Sequence, residues 1–149
     1  MDLSAILLKP NMILPGLDAP VASPEQVAAA TTQALARTIP PAVPGIHFLS
    51  GGMSEYESSV NLLEMQRAMP NAPWALTFSY GRALQAPVLK LWAADPVGNF
   101  KAAQELLVAL AKVNAEAQLG TWNGKDHPVP SKLGEGRILQ ALRLGGAGK

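Results

Sequence analysis

Apolar and polar positions in this chain fall into short runs that alternate with longer periodic stretches. Residues 6–8 are an unbroken apolar run, Ile6-Leu7-Leu8, closed by Lys9-Pro10-Asn11. Proline disfavours helical angles in the residue before it, so Lys9 is held extended. The run reads as a strand of a parallel sheet over residues 6–9, with an amine at its carboxyl tip. A second strand is expected over residues 45–49, running into Ser50-Gly51-Gly52, and a third over residues 74–80, running into Gly81-Arg82.

Between these runs the spacing is helical. Ser23 opens a helix: Pro24 suits the first helical position, and Gln26 stands at capping-box distance. Val27, Ala30, Thr31, Ala34 and Leu35 recur at helical spacing until Pro40-Pro41 ends the pattern. Ser54 and Glu57 make a second capping box, for a helix reaching about residue 69, with Val60, Leu63 and Met65 on its apolar side. A shorter helix is expected to start near Ala86-Pro87 and pass through Leu89, Leu91 and Trp92. A long one follows over residues 97–119, with Leu106, Leu107, Leu110 and Val113 apolar. From Gly120 onward Gly, Pro and Lys become common. The expected division is a folded domain over residues 1–120 and a flexible tail over residues 121–149, with one helical turn at residues 138–144.

Strands alternating with helices imply right-handed βαβ units and a parallel α/β sheet. In such folds ligands sit at the carboxyl ends of the strands. All three strands end in polar groups: Lys9 with Asn11, then Ser50-Gly51-Gly52, then Ser79 with Gly81-Arg82. An amine in an apolar surround can attack a carbonyl and form an imine. A lysine that simply leaves its strand for solvent would show the same pattern. Glycines let backbone N–H groups close around an anion, and the helix that follows adds a favourable partial charge. The plain alternative is an ordinary turn between strand and helix. An arginine can clamp a phosphate in bidentate fashion or pair with a surface carboxylate. Glu55, Glu57 and Glu64 read as capping or solvated groups. Trp74, Trp92, Phe48 and Phe78 read as core.

Composition narrows the classes. The 149 residues are 48% hydrophobic and 15% charged, which suits one globular domain. A net charge of +1 gives no bulk electrostatic reason to bind nucleic acid or a membrane. The absence of cysteine excludes disulfides and thiolate-ligated metal. His47 and His127 are not at metal-ligand spacing, so no metal site is expected; no cofactor is expected either. No apolar run is long enough to span a membrane, and no leader is read ahead of the globular pattern.

Four blocks carry a family resemblance: Leu7-Leu8-Lys9-Pro10-Asn11-Met12, Pro40-Pro41-Ala42-Val43-Pro44-Gly45, Phe48-Leu49-Ser50-Gly51-Gly52 and Phe78-Ser79-Tyr80-Gly81-Arg82-Ala83-Leu84-Gln85. With Lys101-Ala102-Ala103-Gln104, they resemble class I fructose-1,6-bisphosphate aldolase from about Leu7 to Gly120. The resemblance implies a TIM (β/α)8 barrel, of which this chain would be the C-terminal part, strands six to eight. It implies metal-independent Schiff-base cleavage of fructose 1,6-bisphosphate to dihydroxyacetone phosphate and glyceraldehyde 3-phosphate in glycolysis. Lys9 would form the imine. Ser50, Gly51 and Gly52 would bind one phosphate, with Ser79, Gly81 and Arg82 beside it. A cytoplasmic enzyme is implied, commonly tetrameric, so a homo-oligomer is possible.

Two departures temper it. A whole barrel takes roughly 250 residues, and the family's earlier strands carry an acidic residue, a second lysine and an aspartate with no counterpart here. Many members also end in a tyrosine, whereas this chain has none after Tyr80, and the match fades after Leu133-Gly134-Glu135-Gly136. Three strands cannot close a barrel. Leu8, Phe48 and Leu76 are expected to face inward and meet water or another chain, each forfeiting roughly 1.5–3 kcal/mol. Open edges would invite pairing. The expectation is an aldolase that is weak or inactive as this isolated chain. The alternative is a non-catalytic remnant that binds sugar phosphate or a partner chain. A transaldolase-like enzyme fits less well, because of the Ser50-Gly51-Gly52 and Gly81-Arg82 blocks.

Overall fold

The structure, a computed structural model, describes residues 1–137. The helical turn expected at residues 138–144 lies outside them. Strands β1 (Leu7–Leu8), β2 (Gly45–Phe48) and β3 (Ala75–Phe78) form one parallel sheet in the order β1-β2-β3. Leu7 pairs with Gly45, and Gly45 with Ala75. Among the described residues the α-helices that follow the strands are α1 (Pro24–Thr38), α2 (Glu55–Ala68), α3 (Arg82–Ala94) and α4 (Phe100–Gln118).

Both capping boxes form as the spacing requires. The Ser23 hydroxyl accepts from the Gln26 N–H while the Gln26 side chain accepts from the Ser23 N–H, and Ser54 and Glu57 repeat the exchange. Helix α3 begins earlier than expected, at Arg82, and contains Pro87. The Gly81 carbonyl already accepts from the N–H groups of Leu84 and Gln85. The first turn is therefore built before the proline arrives, and Pro87 is not the helix starter its residue type suggests.

Helix α2 is the centre of the helical layer. From Glu57 to Met65 every residue except Glu64 is buried. Helix α1 packs on one flank and α4 on another. A buried polar link joins α2 to α4: the Ser59 hydroxyl donates to Asn114 Oδ1 at 2.9 Å, and Asn114 Nδ2 donates to the Leu110 carbonyl. Buried amides persist only when paired this way. Trp74 is core, and its ring N–H donates to the Pro40 carbonyl, but Trp92 is 43% exposed on α3.

The two faces of the sheet are the reverse of the expectation. Phe48 and Leu76 point into the helical layer, 0% and 5% exposed, and Leu8 packs half-buried against the same core. The open face carries Leu7, 61% exposed, beside Gly45 and His47; a methyl group added at Gly45 would touch the side chains of both neighbours. The physical reason is the two-residue period of a strand. Lys9 shares its parity with Leu7, so an open face holding Lys9 cannot also hold Leu8.

Residues 121–137, within the expected flexible tail, lie against α2. Trp122 and His127 are buried there, edge-on to Tyr56. Ser59 reaches His127 Nε2 at 3.2 Å.

Candidate active site

The hydrogen-bond ladder runs past the ends of the strands and gathers the three polar tips. The Leu49 N–H donates to the Pro10 carbonyl at 3.0 Å, and the Ser79 N–H donates to the Phe48 carbonyl at 2.8 Å. Lys9, Ser50 and Ser79 therefore leave the sheet at the same, carboxyl end. The Asn11 side chain then crosses from the first tip to the second, donating from Nδ2 to the Gly51 carbonyl at 3.1 Å.

The Ser50-Gly51-Gly52 turn depends on its glycines. Gly52 has φ +74°, in the left-handed region. A Cβ at Gly51 would sit 2.9 Å from Leu49 Cδ1 and 3.4 Å from Asn11 Nδ2. The turn's own closure is long, Met53 N–H to Ser50 carbonyl at 3.4 Å. Its shape is thus set by what packs around it. Ser50 is buried, while Gly51 and Gly52 are half-buried.

Gly81 precedes the first residue of α3, and Arg82 is that first residue. Both are exposed, and a Cβ at Gly81 would meet nothing. Gly81 has no side chain to cap α3, so the helix's positive end is open next to Arg82. The N-terminus of helix α2, which follows the Ser50-Gly51-Gly52 turn, carries its own cap. Ser54 and the buried carboxylate of Glu57 take up two of its N–H groups, whereas α3 has no side-chain cap.

Lys9 is exposed. The ion pairs among the described residues, Arg67–Glu64, Lys101–Glu105 and Lys112–Glu116, lie along α2 and α4 and involve neither Lys9 nor Arg82. The candidate cations at this end of the sheet are therefore not neutralised by a described carboxylate. Tyr80, next to the third tip, is fully buried; burial pushes its phenol far up, and its hydroxyl donates to the Ser58 carbonyl at 2.8 Å. It acts as a strut between β3 and α2.

Sequence reasoning missed the second partner of Glu57. Besides capping α2, its carboxylate accepts from the backbone N–H groups of Gly134 and Gly136. The only signal was the closely spaced glycine pair in Leu133-Gly134-Glu135-Gly136.

Parallel strands joined by helices, with polar groups collected at the carboxyl ends, define a segment of a parallel α/β fold. The solved structure of fructose-bisphosphate aldolase from Plasmodium falciparum, in complex with TRAP and a small molecule inhibitor, superposes with a TM-score of 0.78 and 46% identity. The match covers 83% of this chain and 35% of that one. The family model for fructose-bisphosphate aldolase class-I matches residues 1–134, and this chain belongs to that family. It is 51% identical over 134 residues to the cytoplasmic isozyme 2 of Pisum sativum, covering 90% of this chain and 36% of the relative. It is 54% identical over 119 residues to aldolase C of Gallus gallus, covering 79% of this chain and 86% of that sequence. The chain thus spans about a third of the pea relative's length (36%).

Proposed function

We propose that this chain carries the imine-forming and phosphate-binding portion of a fructose-bisphosphate aldolase site. The observation that carries the reading is the extended ladder, which brings Lys9, the Ser50-Gly51-Gly52 turn and Ser79-Tyr80-Gly81-Arg82 to one end of the sheet. In this reading the Lys9 amine adds to the substrate ketone and water leaves. The protonated imine then takes up the electron pair released when the carbon–carbon bond breaks. The turn and Arg82, with the open end of α3, hold phosphate. The same reading makes fructose 1,6-bisphosphate and the triose phosphates its ligands and places the chain in the cytoplasm, as the pea relative's name suggests. A homo-oligomer belongs to this reading as well.

The exposure of Lys9 favours low activity for this chain by itself. Among the described residues β1 and β3 each pair with β2 alone, so the open face offers no walls to enclose the amine and the substrate. The test is incubation with fructose 1,6-bisphosphate and borohydride, alone and with a polypeptide carrying the family's preceding strands. Slow labelling at Lys9 alone, and fast labelling with substrate cleavage in the mixture, are expected. A mixture that neither labels Lys9 nor cleaves substrate would leave the second reading, a remnant that binds sugar phosphate without chemistry.

A further inference from the structure

We propose that Glu57 is a positioning residue for the Ser50-Gly51-Gly52 turn, clamping residues 134–136 behind it and so holding the turn in its ligand-ready shape. The inference rests on the reading that this turn binds phosphate.

Glu57 is only 8% exposed. Its Oε2 accepts from the Ser54 N–H at 2.8 Å and from the Gly136 N–H at 3.0 Å, while Oε1 accepts from the Gly134 N–H. A capping box needs only the first of these. Helix α1 builds the same box with Gln26, which accepts from the Ser23 N–H at 2.8 Å. What α2 has in addition is a second anionic acceptor, and the docked backbone uses it. A buried carboxylate is costly unless donors surround it. Docking of the segment and burial of Glu57 therefore support each other.

The segment fits closely against Met53 and Ser54, the two residues that follow the turn. A Cβ at Gly136 would overlap the backbone of Met53 and Ser54, and Gly134 has φ +90°. The Ser131 and Ser54 hydroxyls are 2.7 Å apart. The Arg137 guanidinium donates to the carbonyls of Leu17, Ala19 and Pro20, tying the segment to the loop before α1 as well. The space left between is about 20 Å³, lined by Gly52, Met53, Glu57, Asn61, Leu133 and Arg137 among others. That is room for about one water. Asn11 thus holds the turn at Gly51, and residues 134–136 back Met53, Ser54 and Glu57, which follow directly after it.

Two variants of the full chain test this. Glu57→Gln keeps an amide at the box position, as Gln26 does in α1, but sets an NH2 donor against a backbone N–H of the segment. Gly136→Ala forces the segment away from Met53 and Ser54 without changing the Glu57 side chain. Gly16→Ala, where a Cβ meets nothing, is the control. The readouts are amide hydrogen exchange across residues 51–53 and the Kd for fructose 1,6-bisphosphate. Both variants are expected to speed exchange in the turn about tenfold and to raise Kd at least about fivefold, with α2 amides from Val60 to Met65 unchanged. Unchanged turn exchange in both variants overturns the proposal. So does faster exchange with unaltered Kd, which would make the clamp merely structural. A wild-type chain that binds no bisphosphate overturns the phosphate reading instead, and is told apart because turn exchange still responds to both variants.

Discussion

The side-chain amide of Asn11 donates to the Gly51 carbonyl across 3.1 Å, joining two strand ends that are 40 residues apart in sequence. Asn11 is exposed, so this bond competes with water and its net worth is in the lower part of the usual 0.5–1.5 kcal/mol range. Asn11→Ala should therefore lower unfolding free energy by at most about 1 kcal/mol. Its larger effect should be on the turn, read as weaker fructose 1,6-bisphosphate binding. A denaturant titration paired with a binding isotherm separates the two.

Arg82 is exposed at the start of α3 and has no described carboxylate partner. Arg82→Ala should leave stability within about 0.5 kcal/mol of wild type. Bisphosphate affinity should fall about tenfold, or ~1.4 kcal/mol. Calorimetric titration checks this; equal affinities would remove Arg82 from the site.

Ser54→Ala should cost more than Ser23→Ala. Both remove an N-cap, worth about 0.5–2 kcal/mol. Ser54 is buried and also meets the Ser131 hydroxyl, whereas the hydrogen bonds of the Ser23 box lie at the surface. Urea midpoints for the two variants should rank in that order.

His127 sets an acid limit on stability. Burial lowers its pKa below the ordinary 6.5, opposed by the Val129 backbone and by the charge of Glu55. The unfolded chain then binds a proton at a higher pH than the folded one. Stability from this residue is complete above the ordinary value, declines as pH falls below it, and levels off beneath the folded pKa. Denaturant midpoints at pH 5 and pH 7.5 should differ less in His127→Phe than in wild type.

Leu62 is 0% exposed, on α2. Leu62→Ala should cost about 2–5 kcal/mol by lost transfer energy and a residual cavity. Leu89→Ala, at a position 55% exposed on α3, should cost under about 0.5 kcal/mol. Thermal unfolding of the two distinguishes a packed α2 from a surface helix.

Much of where the candidate site residues sit in the fold is legible in the sequence. Ser23 and Ser54 announced the two capped helices, because a cap is decided within one turn by the residue itself and its third neighbour. The three polar tips were legible because a βαβ repeat places every strand's carboxyl end on one side. The start of α3 was not, since Pro87 suggested a helix beginning that the Gly81 carbonyl had already made. Trp92 was misassigned because hydrophobicity alone cannot say which helix face finds a partner.

By itself the sequence determined the order of strands and helices, the capped starts, the tips that gather Lys9, Ser50-Gly51-Gly52 and Arg82, and the family. These are local signals, or repeats of local signals, and short-range sterics and hydrogen bonding enforce them. Only the tertiary structure decided that Phe48 and Leu76 belong to the helical layer while Leu7 lies open, that α3 starts at Arg82 with no side-chain cap, and that Glu57 grips residues 134 and 136. Those outcomes join groups separated by as many as 79 residues. Whether such contacts exist depends on where the packed helices bring the chain back, which spacing along the sequence does not encode.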